Sequence, residues 1–501
     1  MPAAYDGRRR PGINRGQGGY RITTMSTVQA TERPRATAES GRLARGVLSN
    51  FDIAAATLAN IAPAMSFYFG FATIVTTAGI AAPLTVVAAA IAILLLGNTL
   101  SQFSRSQPST GSFVTFIGRA FGGYAAVVTA VVLCAGYIIA VASVVTISGG
   151  LTETILQHYL SIKIPWQILS AALTLGALAL IVGGAKPSTK VAAVFFGFEL
   201  VLLIVVAVAL LIQHSSHIDL RPLDPANLHR GFSGLSLGFP LAVYLFVGWE
   251  NSAAMAEESR DPRAGVARAV FSSVILVAAL YVFLAYSTVV GFNDHAGALT
   301  AADIPFIAAA GGVASSLAFI AYLAGFTSIC SSLISATNSQ ARIIFSSGRE
   351  GLLPSVTARL TERGKTPWVA FLVYLGLALG LSYVFGWNTD PVVFFGEIAT
   401  LGTILIALTY LVANLALPVY FRRFHRDRFS VLLHLILPLL GAVAIGYPLY
   451  DLVKPGQPAP FNSYPLIAGG VVVVALIYAA VVYFRDRTLG ERVGSIVADA
   501  D

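Results

Sequence analysis

Runs of about 20 apolar residues without Lys, Arg, Asp or Glu recur along most of this 501-residue chain. An α-helix needs a run of that length to cross the hydrocarbon core of a bilayer, which is roughly 30 Å thick. Only 11% of the residues are charged, against about 25% in soluble domains, so a soluble surface cannot be built from this composition. The runs also lack the period-two alternation of transmembrane β-barrels. We therefore predict an all-α membrane protein.

The apolar runs predict twelve transmembrane helices. They lie at approximately 53–78, 80–103, 123–149, 164–183, 190–212, 235–256, 268–291, 313–338, 367–386, 392–421, 430–450 and 464–484. Of the 32 Lys and Arg residues, 28 lie in the two tails and the even-numbered connections. Because basic residues are enriched on the cytoplasmic side, both termini are predicted to be cytoplasmic. This bias accounts for the net charge of +8 without nucleic-acid binding.

The two ends of the chain differ in composition from the membrane domain predicted over residues 51–485. Residues 1–50 are rich in Arg and Gly and lack an apolar segment, which predicts a disordered cytoplasmic tail. The composition changes near Met25, so a translation start at that residue is a further hypothesis. Residues 486–501 are predicted to form a cytoplasmic C-terminal tail. Cys134 and Cys330 lie inside apolar runs and are interpreted as packing residues, and no metal site or cofactor is expected.

Two predicted spans contain residues that interrupt a helix. In the first span, Pro63 has no amide hydrogen and clashes with the preceding turn, while Asn60 and Ser66 can satisfy the freed backbone groups. In the sixth span, Gly248 and Glu250 stand in the middle of the apolar run. Paired interruptions in two halves are typical of secondary transporters with inverted repeats, whose substrate lies between the half-helix ends. Two ordinary kinks are the alternative interpretation.

Four segments are informative as an ordered set. They are SRSQPSTGSFVTFIGRAFG after the second span, FVGWENSAAMAEESRDPRAGVARAV at the sixth, NSQARIIFSSGREGLLP at the end of the eighth and LGTILIALTYLVANLALPVYFRR in the tenth. This set resembles the amino acid permeases of the amino acid, polyamine and organocation (APC) superfamily, across almost the whole twelve-span region. The resemblance implies a five-plus-five inverted repeat with broken helices 1 and 6. Its repeats would cover about 51–212 and 235–421, with peripheral spans over 430–484.

The resemblance also implies a site for a substrate carboxylate. In the family, backbone amides in the unwound part of the first helix hold this group, and the matching positions are Ala64, Met65 and Ser66. Independently, a helix N-terminus presents unpaired N–H groups and a partial positive charge to an anion. The family's first helix commonly breaks at glycine, whereas no Gly occurs here between Gly46 and Gly70. This difference from the family pattern is compatible with an amine or a modified amino acid as the substrate.

The same resemblance places the substrate's amino group at the sixth helix. Its partners would be the backbone carbonyls of Phe246, Val247 and Gly248. The aromatic side chains of Tyr244 and Phe246 would cover the substrate, with lipid-facing or core packing as the alternative. Tyr137 of the third span is a further candidate, although tyrosine in a membrane helix more often packs.

Three carboxylates lie inside the predicted spans, which contain no Lys or Arg in their interiors. Each costs roughly 2.5 to 3.5 kcal/mol on insertion scales, so it must be protonated, hydrated or paired with a mobile cation. Glu199 is interpreted as a proton-coupling site, with a neutral structural glutamate as the alternative; several relatives carry a lysine near this point. Glu250 is interpreted as a coupling or gating residue. Glu397 lies near a predicted external end and is interpreted as a hydrated vestibule residue.

Together these features predict secondary active transport of an amino acid or related amine across the cytoplasmic membrane by alternating access, coupled to protons. The expected partners are the substrate, a proton or sodium ion, and the lipid bilayer. Because the chain has no Walker A motif, the energy would come from a gradient or from exchange. An exchanger without ion coupling and a non-transporting membrane sensor are the alternatives, and no enzymatic activity is expected.

Overall fold

The computed structural model describes residues 43–362, 364–457 and 459–495. Residues 1–42 of the predicted N-terminal tail, including Met25, and residues 496–501 lie outside the described residues. Within the described ranges, nine helical segments are long and apolar enough to cross a membrane. The first of them, Asn50–Ser106, contains the first two predicted spans.

The described ranges contain eighteen α-helices. They are α1 Asn50–Ile61, α2 Pro63–Ala78, α3 Ala82–Ser106, α4 Ser112–Phe121, α5 Gly123–Leu160, α6 Trp166–Val182, α7 Ala185–Gln213, α8 Phe232–Tyr244, α9 Asn251–Ala254, α10 Ala264–Gly291, α11 Ala296–Ala301, α12 Pro305–Val313, α13 Ser315–Arg349, α14 Trp368–Gly386, α15 Pro391–Phe424, α16 Leu437–Val453, α17 Tyr464–Arg485 and α18 Leu489–Arg492. A π-helical turn, Leu432–Ile436, precedes α16.

Helical segments occur at each of the predicted span positions. At two of these positions the apolar helix is shorter than a full span, namely α6 at 164–183 and α8 at 235–256. The all-helical character of the described chain is therefore confirmed. The count of twelve spans and the inverted repeat remain predictions.

A capping box begins the first helix. The Ser49 hydroxyl accepts a hydrogen bond from the Asp52 amide at 3.2 Å, and the Asp52 carboxylate accepts one from the Ser49 amide at 2.9 Å. Just before it, the Leu48 amide donates to the Glu258 carbonyl at 2.9 Å, and the Arg260 amide donates to the Leu48 carbonyl at 3.0 Å. Leu48, which lies within the tail predicted over residues 1–50, is therefore hydrogen-bonded to the chain around Glu258.

The interruption predicted at Pro63 is present between α1 and α2. Ala62 joins the two helices in the left-handed region, with φ 51° and ψ 69°. Pro63 is the first residue of α2, where its missing amide hydrogen costs nothing and its fixed φ suits the helix. The chain thus uses an alanine in a strained conformation where glycine would be relaxed.

The interruption predicted at Gly248 is also present. Helix α8 ends at Tyr244, and tight turns follow, in which the amide of Val247 donates to the Tyr244 carbonyl at 2.9 Å and that of Trp249 to the Phe246 carbonyl at 3.1 Å. Gly248 has a φ of 103°, which L side chains rarely adopt. The short helix α9 continues the chain after these turns.

Both interrupted helices lie inside a ring of longer helices. Helix α5 packs along α15, α13 packs along α7, and α1 contacts α7, α10 and α13. Helices α16 and α17 lie at the periphery and expose apolar side chains such as Val443, 70% exposed, and Leu466, 80% exposed. Exposed apolar faces of this kind suit contact with lipid tails.

The described start of the predicted C-terminal tail docks onto the helix bundle. Leu489 and Val493 are fully buried. The Gln107 side chain donates to the Gly494 carbonyl at 2.8 Å, and the Gly494 amide donates to the Glu350 carboxylate at 3.3 Å. This segment therefore joins the α3–α4 connection to the end of α13.

Replacing Glu350 with Gln is expected to stabilise the protein by about 2 kcal/mol at pH 8 and to change it little at pH 5. Burial raises the pKa of Glu350 from 4.5 to about 7, although neighbouring Arg349 opposes this shift. The folded wild type therefore holds a proton that the unfolded chain releases, and it loses stability as the pH rises from 4.5 to about 7. Thermal unfolding in detergent at both pH values measures this difference.

The control is Glu491→Gln, which changes an exposed carboxylate in the same C-terminal segment. Equal effects of the two substitutions, or an effect of Glu350→Gln that is the same at pH 5 and pH 8, would contradict the prediction.

Candidate functional site

The two helix interruptions meet near the middle of the bundle. The Asn60 side-chain amide approaches the Gly248 carbonyl at 3.5 Å. A Cβ atom on Gly248 would lie only 2.5 Å from the Asn60 Nδ2 atom. Close approach of the two backbones therefore requires glycine at residue 248.

Serines of α13 satisfy backbone groups that the first interruption leaves without helical partners. The hydroxyls of Ser331 and Ser332 donate to the carbonyls of Ala59 and Asn60 at 3.3 and 3.4 Å. These bonds replace those that an uninterrupted helix would form, which matters because unpaired backbone groups are costly in an apolar environment.

Glu199 of α7 caps the N-terminus of α2. Its Oε1 atom accepts a hydrogen bond from the Ala64 amide at 2.6 Å, and its side chain is fully buried. The Ser328 hydroxyl lies beside the carboxylate, and the titratable side chains of Tyr68 and Tyr281 are close enough to interact with its charge. The positive end of the helix dipole stabilises an acceptor of negative charge at this position.

The three amides predicted to hold a substrate carboxylate all have internal partners. The Ala64 amide bonds Glu199, the Met65 amide donates to the Ser328 hydroxyl at 3.1 Å, and the Ser66 amide donates to the Ala62 carbonyl at 2.9 Å. The side chain of Glu199 thus occupies the helix end that the sequence pattern predicted for a ligand. Sequence spacing alone could not indicate this contact, because 135 residues separate its partners.

A small cavity of about 40 Å³ lies beside the two interruptions. Four of the predicted site residues line it, namely Met65, Ser66, Tyr244 and Val247. Asn60 and the polar side chain of Gln340 also line it. Its volume holds a few water molecules, so a bound amino acid requires the lining side chains to move.

The other predicted residues lie outside the cavity lining. Phe246 packs against Tyr281 with ring centroids 5.3 Å apart, and its carbonyl accepts the Trp249 amide. The Gly248 carbonyl accepts the Asn251 amide at 3.1 Å. The Phe246 carbonyl retains a second lone pair that a ligand ammonium group could use, whereas the Gly248 carbonyl also faces the Asn60 side-chain amide at 3.5 Å.

Glu250 and Tyr137 form a buried pair below the second interruption. The Tyr137 hydroxyl donates to Glu250 Oε1 at 2.6 Å, and the Gly248 amide donates to Oε2 at 3.1 Å. Both side chains are at most 2% exposed. Glu250 therefore holds the turn around Gly248 to α5 instead of facing the cavity.

An aromatic vestibule, formed by Phe69, Tyr244 and Phe395, adjoins the small cavity. It lines a larger space of about 350 Å³, and Tyr244 borders both spaces. The Phe69 and Phe395 rings have centroids 5.0 Å apart, and those of Tyr244 and Phe395 lie 6.2 Å apart. Glu397 lines an adjoining cavity on the same side. Tyr244 thus separates the vestibule from the cavity.

An ion-pair cluster, formed by Glu257, Glu258, Arg342 and Arg349, lies on the side of the bundle opposite the vestibule. It joins the chain just after α9 to the C-terminal end of α13. Arg342 and Glu258 pair at 2.6 Å with both side chains at most 2% exposed, and Arg349 donates to Glu257 at 3.0 Å. The second half of α8, residues 237–244, borders the vestibule, whereas the chain after the interruption reaches Glu257. Sequence reasoning placed these four residues in connections and missed their pairing.

The cluster could have been suspected from the sequence, since its acids and arginines stand inside two of the four resembling segments, "AMAEESRDPR" and "ARIIFSSGREG". Which acid meets which arginine depends on helix rotation, which a single sequence leaves undetermined.

Comparison with known proteins identifies a family. The family described as "Amino acid permease" matches residues 48–483. The chain is 24% identical to the branched-chain amino acid permease BcaP of Bacillus subtilis (strain 168), over 59% of this chain and 65% of the relative. It is 27% identical to cationic amino acid transporter 4 of Mus musculus, over 59% and 48%. A methylthioribose transporter of Bacillus subtilis (strain 168) is 22% identical over 71% and 79%. The matches to the first two thus cover less than two thirds of each relative's length.

Gly248→Ala is expected to destabilise the protein by about 2 kcal/mol or more, because alanine disfavours the positive φ and its Cβ would clash with Asn60. Thermal unfolding in detergent measures the change. Gly376→Ala in α14 is the control, since a Cβ there meets open space and alanine favours helix. Equal destabilisation by both substitutions would show that residue 248 has no special requirement for glycine.

Arg342→Met is expected to cost about 3 to 5 kcal/mol, because it leaves the Glu258 carboxylate buried without its partner. Adding Glu258→Leu should restore part of the loss, since a buried apolar pair needs no charge compensation. Chemical denaturation monitored by tryptophan fluorescence compares the variants. The exposed pair of Arg268 and Asp261 is the control, and Arg268→Ala should have little effect. An Arg342→Met effect no larger than that control would contradict this account.

Proposed function

The chain belongs to the amino acid permease family, and we propose that it transports an amino acid or related amine across the cell membrane by alternating access. It is a multi-pass membrane protein with several apolar helices that can span a bilayer. The observation that carries the proposal is the small cavity beside the two helix interruptions. Converging half-helix ends are where secondary transporters bind their substrates.

Twelve spans with both termini cytoplasmic form part of this proposal. Helices at each predicted position and the strong asymmetry of Lys and Arg support it. In this orientation the aromatic vestibule faces the outside and the ion-pair cluster faces the cytoplasm. The two interrupted helices would then belong to corresponding places in two inverted repeats, about 51–212 and 235–421.

Alternating access follows from the unequal closure of the two sides. On the vestibule side, Tyr244 is the single side chain among the described residues that borders both the vestibule and the cavity, so a rotation of its ring would join them. On the other side, the buried pair of Arg342 and Glu258 must separate or move as a unit. Since breaking a buried ion pair is costly, the cytoplasmic side would open only with compensating contacts elsewhere.

The predicted site residues take the following roles in this proposal. Met65, Ser66, Tyr244 and Val247 face the substrate, while Ala64, Phe246 and Gly248 contribute backbone groups. Tyr137 acts through Glu250, which holds the turn at Gly248 and so acts as a gating residue. Glu199 is the proton-coupling residue, since it is buried at the end of α2 without a fixed cationic partner among the described residues.

The relatives suggest which substrates to try. Their names refer to branched-chain amino acids, cationic amino acids and methylthioribose. A test panel should therefore include apolar and cationic amino acids, their decarboxylated amines and a thiosugar. Exchange of substrates without ion coupling is the alternative mechanism that the same experiment examines.

Uptake of this labelled panel into proteoliposomes tests the proposal. At least one amino acid or amine is expected to accumulate at least several-fold when the lumen is made alkaline, because inward proton flow would drive it. A proton ionophore should abolish the accumulation, and liposomes without protein are the control. Uptake that needs internal substrate and ignores pH would establish exchange instead. The absence of any transported compound would contradict transport altogether.

A further inference from the structure

At the N-terminus of α2, only two amide hydrogens point to groups outside the helix backbone, where an anion could accept them. Pro63 has no amide hydrogen, and the Ser66 amide bonds the Ala62 carbonyl within the chain. The remaining two are those of Ala64 and Met65, which bond Glu199 at 2.6 Å and Ser328 at 3.1 Å. A further carboxylate could reach this helix end only by displacing one of these partners.

Only one of the two oxygen atoms of the Glu199 carboxylate has a hydrogen-bond partner among the described residues. Its Oε1 atom accepts the Ala64 amide, whereas Oε2 has no hydrogen-bond partner within the described part of the chain. The groups that face it are Tyr68 of α2, Tyr281 of α10 and the hydroxyl of Ser328 on α13. None of these three groups is cationic. Of these groups and the helix end, only the helix end therefore presents positive charge to Glu199, through the α2 dipole.

We propose that Glu199 is an internal substitute for the substrate carboxylate at the N-terminus of α2, and that the substrate carboxylate binds there only when Glu199 is protonated. This inference rests on the transport function proposed above. It deepens that function by stating how a proton and a substrate depend on each other. It also makes Glu199 a residue that selects between substrates with and without a carboxylate.

Charge and geometry together produce this dependence. Met65 and Ser66 line the cavity and belong to the same helical turn as Ala64, which Glu199 caps. A ligand carboxylate beside them would therefore meet an ionised Glu199 at short range in a buried, weakly screened environment. Protonation removes this repulsion and weakens the hold of Glu199 on the Ala64 amide, because a neutral carboxyl is a poorer acceptor. The amide then becomes available to the ligand.

Linkage makes the effect reciprocal. If protonation of Glu199 strengthens binding of a carboxylate ligand, that ligand must strengthen proton binding by the same factor. One proton therefore enters with each carboxylate, as a symporter requires. An amine without a carboxylate does not compete with Glu199, and the ionised residue would attract its ammonium group.

Matched ligand pairs separate these cases. Binding of L-leucine and 3-methylbutan-1-amine, and of L-lysine and 1,5-diaminopentane, would be measured by calorimetry between pH 5 and 9 on the full chain in lipid nanodiscs. For the amino acids, affinity should fall by about tenfold for each pH unit above the titration of Glu199. For the amines, affinity should stay constant or rise with pH.

Variants of Glu199 test the assignment. Glu199→Gln keeps an oxygen for the Ala64 amide and cannot ionise, so amino acid binding should become independent of pH. Glu199→Asp keeps an ionisable group and should keep a pH slope, which guards against a loss of folding in one variant. Glu153→Gln is the matched control, because Glu153 accepts the Trp166 amide at 3.1 Å at the start of another helix. This control should behave as wild type.

The outcomes distinguish the inference from the proposed function. A pH slope that persists in Glu199→Gln, or equal slopes for amino acids and amines, overturns the inference while leaving transport intact. pH-dependent binding without uptake into proteoliposomes contradicts transport and leaves the linkage standing. Binding of none of the four ligands at any pH, together with no uptake of any compound of the labelled panel, overturns both.

Discussion

The structure depends on satisfying backbone groups at two helix interruptions within an apolar bundle. In a bilayer, no water is available for unpaired N–H and C=O groups, so an interruption persists only where protein groups replace the lost bonds. At the first interruption, Ser331, Ser332, Ser328 and Glu199 provide these replacements. At the second, tight turns and Glu250 do so. These buried polar groups therefore stabilise the two helix interruptions.

This requirement ties the site to the packing of the surrounding helices. Glu199 reaches α2 from α7, the serines reach α1 and α2 from α13, and Tyr137 reaches Glu250 from α5. A shift of any of these helices would change which backbone donors are free. Binding at the interruptions can therefore be linked to movement at the aromatic vestibule on one side and the ion-pair cluster on the other, without a separate signalling element.

The position of Glu199 sets the chemistry of the candidate site at the N-terminus of α2. Because Glu199 accepts the Ala64 amide and Ser328 accepts the Met65 amide, a ligand anion at the N-terminus of α2 must replace one of these internal groups. The cost of that replacement depends on protonation, whereas recognition of an ammonium group does not. Selectivity in this chain would then be decided by charge at one helix end as well as by the shape of a small cavity. Members of one family can differ widely in substrate through such a local change.

The sequence by itself determined the membrane class, the positions of the helical segments and both interruptions, because these follow from local properties: apolar run length, the missing amide of Pro63 and the backbone freedom of Gly248. It also indicated that Glu199 and Glu250 needed a reason to be buried. Only the tertiary structure decided that Glu199 caps Ala64, that Glu250 pairs with Tyr137 and faces away from the cavity, and that four distant charges form a cluster. These contacts join residues 84 to 135 positions apart and depend on helix rotation, which hydrophobic patterns in a nearly uniform apolar chain do not specify.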